Sequence, residues 1–214
     1  ILGIGTAPSL GVRDGRICDV EATTKSILVA LNEAEIMAGC QVEEAWVSVS
    51  GDHVRGAESH GVVAIDNGEV SERAARRVRA AAQAVPLPPD HRVLHVLPRE
   101  YVVDAQGGIR DPVGMSGIRL EANPHLISVS DSALANTRNC CHKAGLGVSG
   151  VVVSALASGE AVLEPEEKEH GVVLVDFGAG TLDLAIYSEG SVVHSAVVTC
   201  AGHRVTSDLS RCLE

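Results

Sequence analysis

The alternation of apolar and polar residues over the first 50 positions predicts a strand pair, a long helix and a returning strand. Asp19 can cap the helix, and Gly39 can end it because glycine adopts the left-handed conformation of a helix C-terminus without strain. The predicted elements are strands at residues 1–5, 16–18 and 46–50 and a helix from 19 to 39. This order of strands and helix indicates the α/β class.

Residues 51–124 differ in composition from the rest of the chain, because glycine, proline and polar residues are more frequent and the apolar runs are shorter. We interpret this segment as an inserted subdomain. It contains one clear helix, which Ser71 can cap. A basic side of that helix is formed by Arg73, Arg76, Arg77 and Arg79, and the first three could bind a partner. A charged helix face, however, usually reflects solvation alone.

From residue 125 the α/β rhythm resumes. An acidic stretch at 164–169 predicts an exposed linker between two lobes. The predicted elements before it are strands at 126–129 and 148–154 and helices at 131–144 and 156–163. The predicted domains are a first lobe at 1–50 and 125–165, the inserted subdomain at 51–124 and the start of a second lobe at 170–214.

A hairpin with the features of a phosphate site follows the linker. The apolar run at 172–175 predicts a strand buried on both faces, and Asp176 stands where that strand leaves the core. Gly178 and Gly180 let the backbone turn and bring its N–H groups close to an anion, with the Thr181 hydroxyl as a further donor. Asp176 can hold the hydration shell of a magnesium ion, which needs few protein ligands. The alternative is an ordinary hairpin turn, in which the glycines supply only positive φ.

The surroundings of this hairpin favour the phosphate site. Two more strands are predicted at 184–187 and 192–198, which would give the loop a rigid three-stranded platform. Gly202 then forms a turn at the entrance of a final helix, with His203 beside it. The N-terminus of that helix could meet another part of an anionic ligand.

Composition and charge narrow the function classes. The 214 residues are 45% hydrophobic and 21% charged, with a mean hydropathy of +0.18, which is typical of a globular protein. Lys and Arg total 17 against 28 Asp and Glu, and the resulting net charge of −11 argues against a nucleic-acid partner. The six cysteines lack C-x-x-C spacing, which indicates free thiols in a reducing cytoplasm.

The chain has no export signal and no apolar stretch long enough for a bilayer. We therefore expect membrane contact only through a partner or through a segment that this sequence lacks. The sequence begins at Ile1 without a methionine, and we expect it to be an internal fragment of a longer protein.

Several segments resemble known families. Residues 175–183 resemble the second phosphate motif of the actin, Hsp70 and sugar-kinase ATPase superfamily. Residues 47–53, 91–101 and 111–117 resemble the FtsA family of bacterial cell-division actin homologues and its inserted subdomain, called 1C or SHS2. The resemblance implies an actin-like, ribonuclease H-like α/β lobe (1A), a small inserted α+β subdomain and the start of a second actin-like lobe (2A).

The resemblance also implies a ligand and a set of site residues. The ligand is ATP with Mg²⁺, and Asp176 falls on the magnesium-facing position, where it would act through water. Asp183 falls where actin carries a water-positioning histidine, which makes it the candidate catalytic residue. The implied nucleotide-binding residues are Asp176, Gly178, Ala179, Gly180, Thr181, Gly202 and His203.

The implied partners are those of a cell-division scaffold. Such a protein polymerises with itself at the cytoplasmic face of the inner membrane and tethers FtsZ of the Z ring at the division site. It then recruits later proteins of the divisome to the septum. The 1C-type segment, with the arginines of its helix, would supply filament contacts and a docking surface for these partners.

Departures from the family pattern limit the catalysis that we expect. The sequence lacks the first phosphate loop, the adenosine-binding motif and the regions that bind FtsZ and the membrane. Residues 154–158 offer no carboxylate or amide to position a water, so we expect weak or no ATP hydrolysis. In the favoured interpretation, ATP stabilises one arrangement of the lobes without turnover. The alternatives are an active ATPase or phosphotransferase of the same superfamily and a pilus-assembly protein like PilM.

Overall fold

The computed structural model describes residues 1–213, and Glu214, which ends the predicted second lobe, lies outside the described residues. The first elements are β1 (Val12–Arg13), β2 (Arg16–Ile17), α1 (Val20–Ala38) and β3 (Glu44–Val49). The prediction of a strand at residues 1–5 is wrong. This segment runs along α1 instead, where the backbone of Gly5 lies against the Ala30 carbonyl.

Local signals place both ends of α1 where the sequence predicts them. The Asp19 side chain accepts hydrogen bonds from the Glu21 and Ala22 amides at 2.9 and 3.0 Å. Gly39 ends the helix in the left-handed conformation, with φ of 70°. Both caps satisfy backbone groups that the helix itself leaves unpaired.

The middle of the chain builds a helix on a four-stranded antiparallel sheet. The elements of this segment, two of whose strands (β4 and β6) belong to another sheet, are β4 (Val54–Glu58), β5 (Gly61–Ala64), a 3₁₀ turn (Asp66–Gly68), α2 (Glu72–Gln83), β6 (His91–Leu97), β7 (Tyr101–Val103), β8 (Gln106–Ile109) and β9 (Arg119–Ala122). The sheet has the order β5-β9-β7-β8. Ala74 and Val78 of α2 pack with Leu120 of β9, which gives this segment a small core of its own.

A second antiparallel sheet joins the middle segment to the residues that follow it. β10 (His125–Ser130) is its central strand, between β4 and β6, and is buried along its whole length. The domain division at residue 125 stays a prediction. The pairing nevertheless places β10 in one sheet with two strands of the predicted insert.

Four elements lead from this sheet to the hairpin: α3 (Asp131–Lys143), β11 (Gly147–Val153), α4 (Ser154–Val162) and α5 (Pro165–His170). β11 pairs in parallel with β3. The predicted linker at 164–169 is exposed, but it is largely helical because Glu164 and Glu167 form a capping box and Pro165 occupies the first turn of α5.

The last elements are β12 (Val172–Phe177), β13 (Leu182–Ser188), β14 (Ser191–Val198) and α6 (Gly202–Leu213), and the three strands form an antiparallel sheet. The prediction that β12 is buried on both faces is wrong. Val173, Val175 and Phe177 are 54%, 51% and 58% exposed, whereas Leu174 is buried. An apolar run alone does not distinguish a strand covered on one face from a strand covered on both.

One hydrophobic core joins this sheet to the rest of the chain. Leu174, Ala185 and Tyr187 share it with Ile127 of β10 and Val153 of β11. The body of the β12–β13 hairpin therefore shares one hydrophobic core with the parallel β3–β11 pair.

Two further features bear on the expectations from composition. Within residues 1–213, no helix combines the length and the apolar character needed to cross a membrane. All six cysteines are free thiols, as predicted.

Candidate functional site

The tip of the β12–β13 hairpin brings two carboxylates and a glycine loop together. The strand register places Asp176 directly opposite Asp183. The Gly178 N–H donates to the Thr181 carbonyl at 2.9 Å and closes the loop. The two amides between them donate to no residue in the described part of the chain, so they can bind an anion.

The first turn of α6 supports this loop from behind. The Gly202 N–H donates to the Gly178 carbonyl at 3.1 Å, and the His203 N–H donates to the Ala179 carbonyl at 2.8 Å. These two amides therefore hold the loop, which differs from the direct anion contact expected of this helix N-terminus. The His203 side chain is exposed beside the loop.

A cleft of about 420 Å³ opens between the loop and the β1–β2 hairpin. Arg13 adds a cation to its wall, opposite the loop, and Asp14 adds a carboxylate. The predicted nucleotide-binding residues that line the cleft are Ala179, Gly180, Thr181 and His203. The Asp14–Gly15 turn is predictable as a turn, but its place in this cleft follows only from the assembled fold.

A serine of α4 orients Asp176. The Ser158 Oγ donates a hydrogen bond to Asp176 Oδ2 at 2.7 Å. The prediction for residues 154–158 considers only a carboxylate or an amide, and it misses this hydroxyl. The sequence offers little signal for it, because α4 also carries Ser154 and Glu160 and a serine inside a helix is not diagnostic.

Asp183 is buried, with 3% of its surface exposed. Ser50, directly after β3, donates to Asp183 Oδ2 at 2.7 Å, whereas Oδ1 has no partner among the described residues. Burial raises the pKa of Asp183, the hydrogen bonds of Ser50 and Thr181 lower it, and the charge of Asp176 raises it further. The net effect is upward, so this carboxyl takes up a proton more readily than an exposed aspartate.

These residues fit a magnesium ion with bound phosphate. Two carboxylates on opposite strands repel each other unless a cation or a proton lies between them. The buried Asp183 Oδ1 has no partner among the described residues and can accept a cation. The two loop amides without acceptors can bind an anion. Residues 1–213 contain no cluster of three or more His, Cys, Asp or Glu side chains for a metal. Mg²⁺ keeps most of its waters and needs few protein ligands, so two carboxylates suffice for it.

The arginines predicted to bind a partner lie on the exposed side of α2. Arg77 is 2.9 Å from Asp66, and Arg76 is 3.8 Å from Glu72. Arg73 is exposed on the same helix. Ion pairs between exposed side chains contribute little free energy, so these arginines stay available to a partner.

Two protein-family models match the chain. Residues 51–128 match the model described as "SHS2 domain inserted in FTSA", and residues 173–214 match "Cell division protein FtsA". The first match ends inside β10, and the second covers the hairpin and α6.

Curated relatives match almost the entire chain. The cell division protein FtsA of Pseudomonas aeruginosa is 46% identical over 213 residues, which are 100% of this chain and 51% of the relative. The FtsA of Escherichia coli is 39% identical over 210 residues, which are 98% of this chain and 50% of the relative. The chain thus spans about half the length of the curated relatives that it matches.

A solved structure shares the fold. A chain of the "PilM-PilN type IV pilus biogenesis complex" superposes with a TM-score of 0.65 at 19% sequence identity, over 96% of this chain and 56% of that chain. At this identity the match speaks for the fold alone. Together with the inserted-domain match, it confirms the predicted fold class, an actin-like α/β lobe with an inserted SHS2-type subdomain.

Proposed function

The chain belongs to the FtsA family of cell-division proteins, and from that premise we propose that it binds ATP with Mg²⁺ at the tip of the β12–β13 hairpin. One observation carries the proposal. The two open loop amides, of Ala179 and Gly180, line a cleft of about 420 Å³, and the paired aspartates lie on the two strands that carry this loop. Such a site offers carboxylates to a metal and N–H donors to phosphate oxygens.

Each part of the tip has its own role in this proposal. Asp176 holds the hydration shell of the magnesium ion. The loop at 178–181 surrounds phosphate oxygens with its amides and with the Thr181 hydroxyl. Gly202 and His203 keep the loop in shape through its carbonyls. Bound Mg²⁺ and phosphate supply the opposite charges that the carboxylates and the amides need.

Turnover of ATP is weak or absent in the proposed function. Between Ser154 and Ser158, α4 carries only hydroxyl and apolar side chains, and none of them can act as a general base. Asp183 could orient a water through its Oδ1, which is buried and has no partner among the described residues, and this observation keeps an active ATPase or phosphotransferase as the second candidate. Phosphate-release measurements distinguish the two candidate functions. If the protein is an active ATPase or phosphotransferase, Asp183→Ala should abolish its turnover. If it is a scaffold, the wild type already releases little or no phosphate.

ATP would act as a structural ligand of a scaffold. A ligand that binds one arrangement of the lobes more tightly raises the population of that arrangement without any chemistry. We infer that the scaffold assembles with further copies of itself at the cytoplasmic face of the inner membrane, tethers FtsZ and brings later division proteins to the septum. Family membership supports these partners, and the exposed Arg73, Arg76 and Arg77 on α2 are the proposed contact surface.

Nucleotide binding by the full-length protein tests the proposal directly. Asp176→Asn keeps the shape of the side chain but removes its charge, so we expect the Kd for ATP in Mg²⁺ to rise at least about ten-fold, or about 1.4 kcal/mol. Asp208→Asn, on an exposed part of α6, is the matched control and should bind like the wild type. Unchanged affinity of Asp176→Asn, or a wild-type protein that ignores ATP at millimolar concentrations, would reject the proposal.

A further inference from the structure

Ser158 connects the proposed cation site to a helix outside the hairpin. It lies in the middle of α4, and its hydroxyl donates to Asp176 Oδ2 at 2.7 Å. A serine inside a helix usually turns its hydroxyl to solvent or to the carbonyl four residues back. Here the hydroxyl leaves the helix for a carboxylate on a different element, so the contact is a product of tertiary packing.

Asp176 has one oxygen fixed and the other open. Oδ2 accepts the bond from Ser158, whereas Oδ1 accepts no hydrogen bond from the described residues. The direction of the open oxygen is thus set by the serine. Groups that hydrogen-bond a metal-binding side chain orient it, and their loss typically weakens metal affinity by about 10- to 100-fold.

The packing of α4 on β13 is an independent sign that this contact is built into the fold. Gly159, next to Ser158, is buried, and a Cβ at this position would overlap the Tyr187 hydroxyl of β13. The glycine therefore allows the helix to come close enough for its neighbour to reach Asp176. Leu156 fixes the same helix in the hydrophobic core.

We propose that Ser158 is the positioning residue for the metal-facing carboxylate, so that Mg²⁺ binding depends on the docking of α4 against the hairpin. The inference rests on the proposed function, because it takes Asp176 as the residue that faces the Mg²⁺ of bound ATP. Ser158 does not touch the ion itself and acts only through Asp176. The cation site is thereby tied to a helix that follows the parallel β3–β11 pair.

The magnesium dependence of ATP binding tests this role. The Kd for ATP is measured on the full-length protein in saturating Mg²⁺ and again in EDTA. For Ser158→Ala we expect the Kd in Mg²⁺ to rise about ten-fold, while the Kd in EDTA stays unchanged because the loop amides are intact. Ser158→Thr keeps a hydroxyl and should restore most of the magnesium dependence.

Ser154→Ala is the matched control for this experiment. Ser154 lies one turn earlier on α4, and its hydroxyl donates to the Val49 carbonyl at 3.3 Å and to neither aspartate. The control removes the same atom from the same helix, and we expect both Kd values to stay at the wild-type level.

The outcomes separate this inference from the proposed function. If ATP binding by the wild type does not depend on Mg²⁺, both are rejected. If the wild type depends on Mg²⁺ and Ser158→Ala keeps the same ratio of the two Kd values, only the positioning role is rejected. An equal loss of affinity in Mg²⁺ and in EDTA also rejects it, because such a loss indicates general damage to the cleft.

Discussion

We predict that the protonation of His125 destabilises the fold at acidic pH. His125 lies in β10 with no exposed surface, and its Nε2 is 2.8 Å from Ser195 Oγ of β14. Its pKa is lowered from 6.5 to about 4, mainly by burial and then by the charge of His194. Glu58 raises the pKa and Arg99 lowers it, with smaller effects.

The two pKa values set the direction and the size of the effect. Because the pKa is lower in the folded protein, the unfolded chain takes up a proton first, and the free energy of unfolding falls once the pH drops below about 6.5. The loss is complete near pH 4, where folded His125 is also protonated. A separation of about 2.5 pKa units corresponds to at most about 3 kcal/mol. That is a large share of the roughly 5–15 kcal/mol by which a domain is stable.

Urea unfolding over this pH range, for the wild type and for His125→Gln, measures the effect. Glutamine keeps a hydrogen-bonding group near Ser195 but does not titrate. Burial also lowers the pKa values of His53 and His95, and their contributions cancel because both proteins carry them. We expect the wild type to lose about 3 kcal/mol more than the variant between neutral pH and pH 4.

The exposed His203 supplies the control, because His203→Gln makes the same substitution without touching the packing of β10 against β14. Any stability that His125→Gln loses at neutral pH does not affect the test, since the measured quantity is the change with pH. If His125→Gln and the wild type lose stability in parallel as the pH falls, His125 is not held neutral by its surroundings, and the described packing of β10 against β14 is wrong.

Three other changes probe separate contacts. Gly56→Ala places a Cβ 2.5 Å from a carbonyl oxygen of β14, so we expect a loss of about 1–3 kcal/mol in urea unfolding. An unchanged midpoint would mean that β4 and β14 are less closely packed. Ser50→Ala removes the hydroxyl that donates to Oδ2 of the buried Asp183 and should cost about 1–3 kcal/mol in the same assay. Full retention of stability would argue that this hydrogen bond is not formed in solution. Arg76→Glu combined with Arg77→Glu reverses the charge of an exposed helix side and leaves its buried face intact, so we expect weaker self-assembly and partner binding of the full-length protein in sedimentation assays. Wild-type assembly by a folded double variant would exclude this surface.

Helix ends are predictable from this sequence because their signals are local. Asp19 and Gly39 mark α1, and Ser71 caps α2 through the amide of Ala74. The linker at 164–169 also carries a local helix signal, because Glu164 and Glu167 form a capping box and Pro165 occupies the first turn. The prediction of an exposed linker relied on the acidic composition and missed this signal. The exposure of β12 is different in kind, because it depends on which elements cover the sheet.

The candidate site likewise has a part that is predictable from local sequence and a part that depends on the tertiary fold. The aspartates and glycines of the hairpin occupy one short stretch, so their chemistry can be predicted from the sequence. Ser50 and Ser158 come from a strand end and a helix, and their hydrogen bonds to Asp183 and Asp176 exist only because β3, β11 and α4 pack beside the hairpin. A hydroxyl that reaches a carboxylate across the fold has no local pattern, since serine is equally common on solvated surfaces.

The β12–β13 hairpin and the sheet formed by β4, β10 and β6 are packed together, and this affects how variants near the site are interpreted. Gly56 of β4 lies against Ser195 of β14, and Ile127 of β10 shares a core with Ala185 of β13. Close-packed interiors transmit strain, so a substitution in the β4-β10-β6 sheet can move the β12–β13 hairpin without touching it. Lost nucleotide binding in such a variant therefore identifies a site residue only if the free energy of unfolding is unchanged. Ser158→Ala removes one hydroxyl of α4 that donates to Asp176, and an effect on ATP binding in Mg²⁺ but not in EDTA would distinguish a change at the site from a change in the fold.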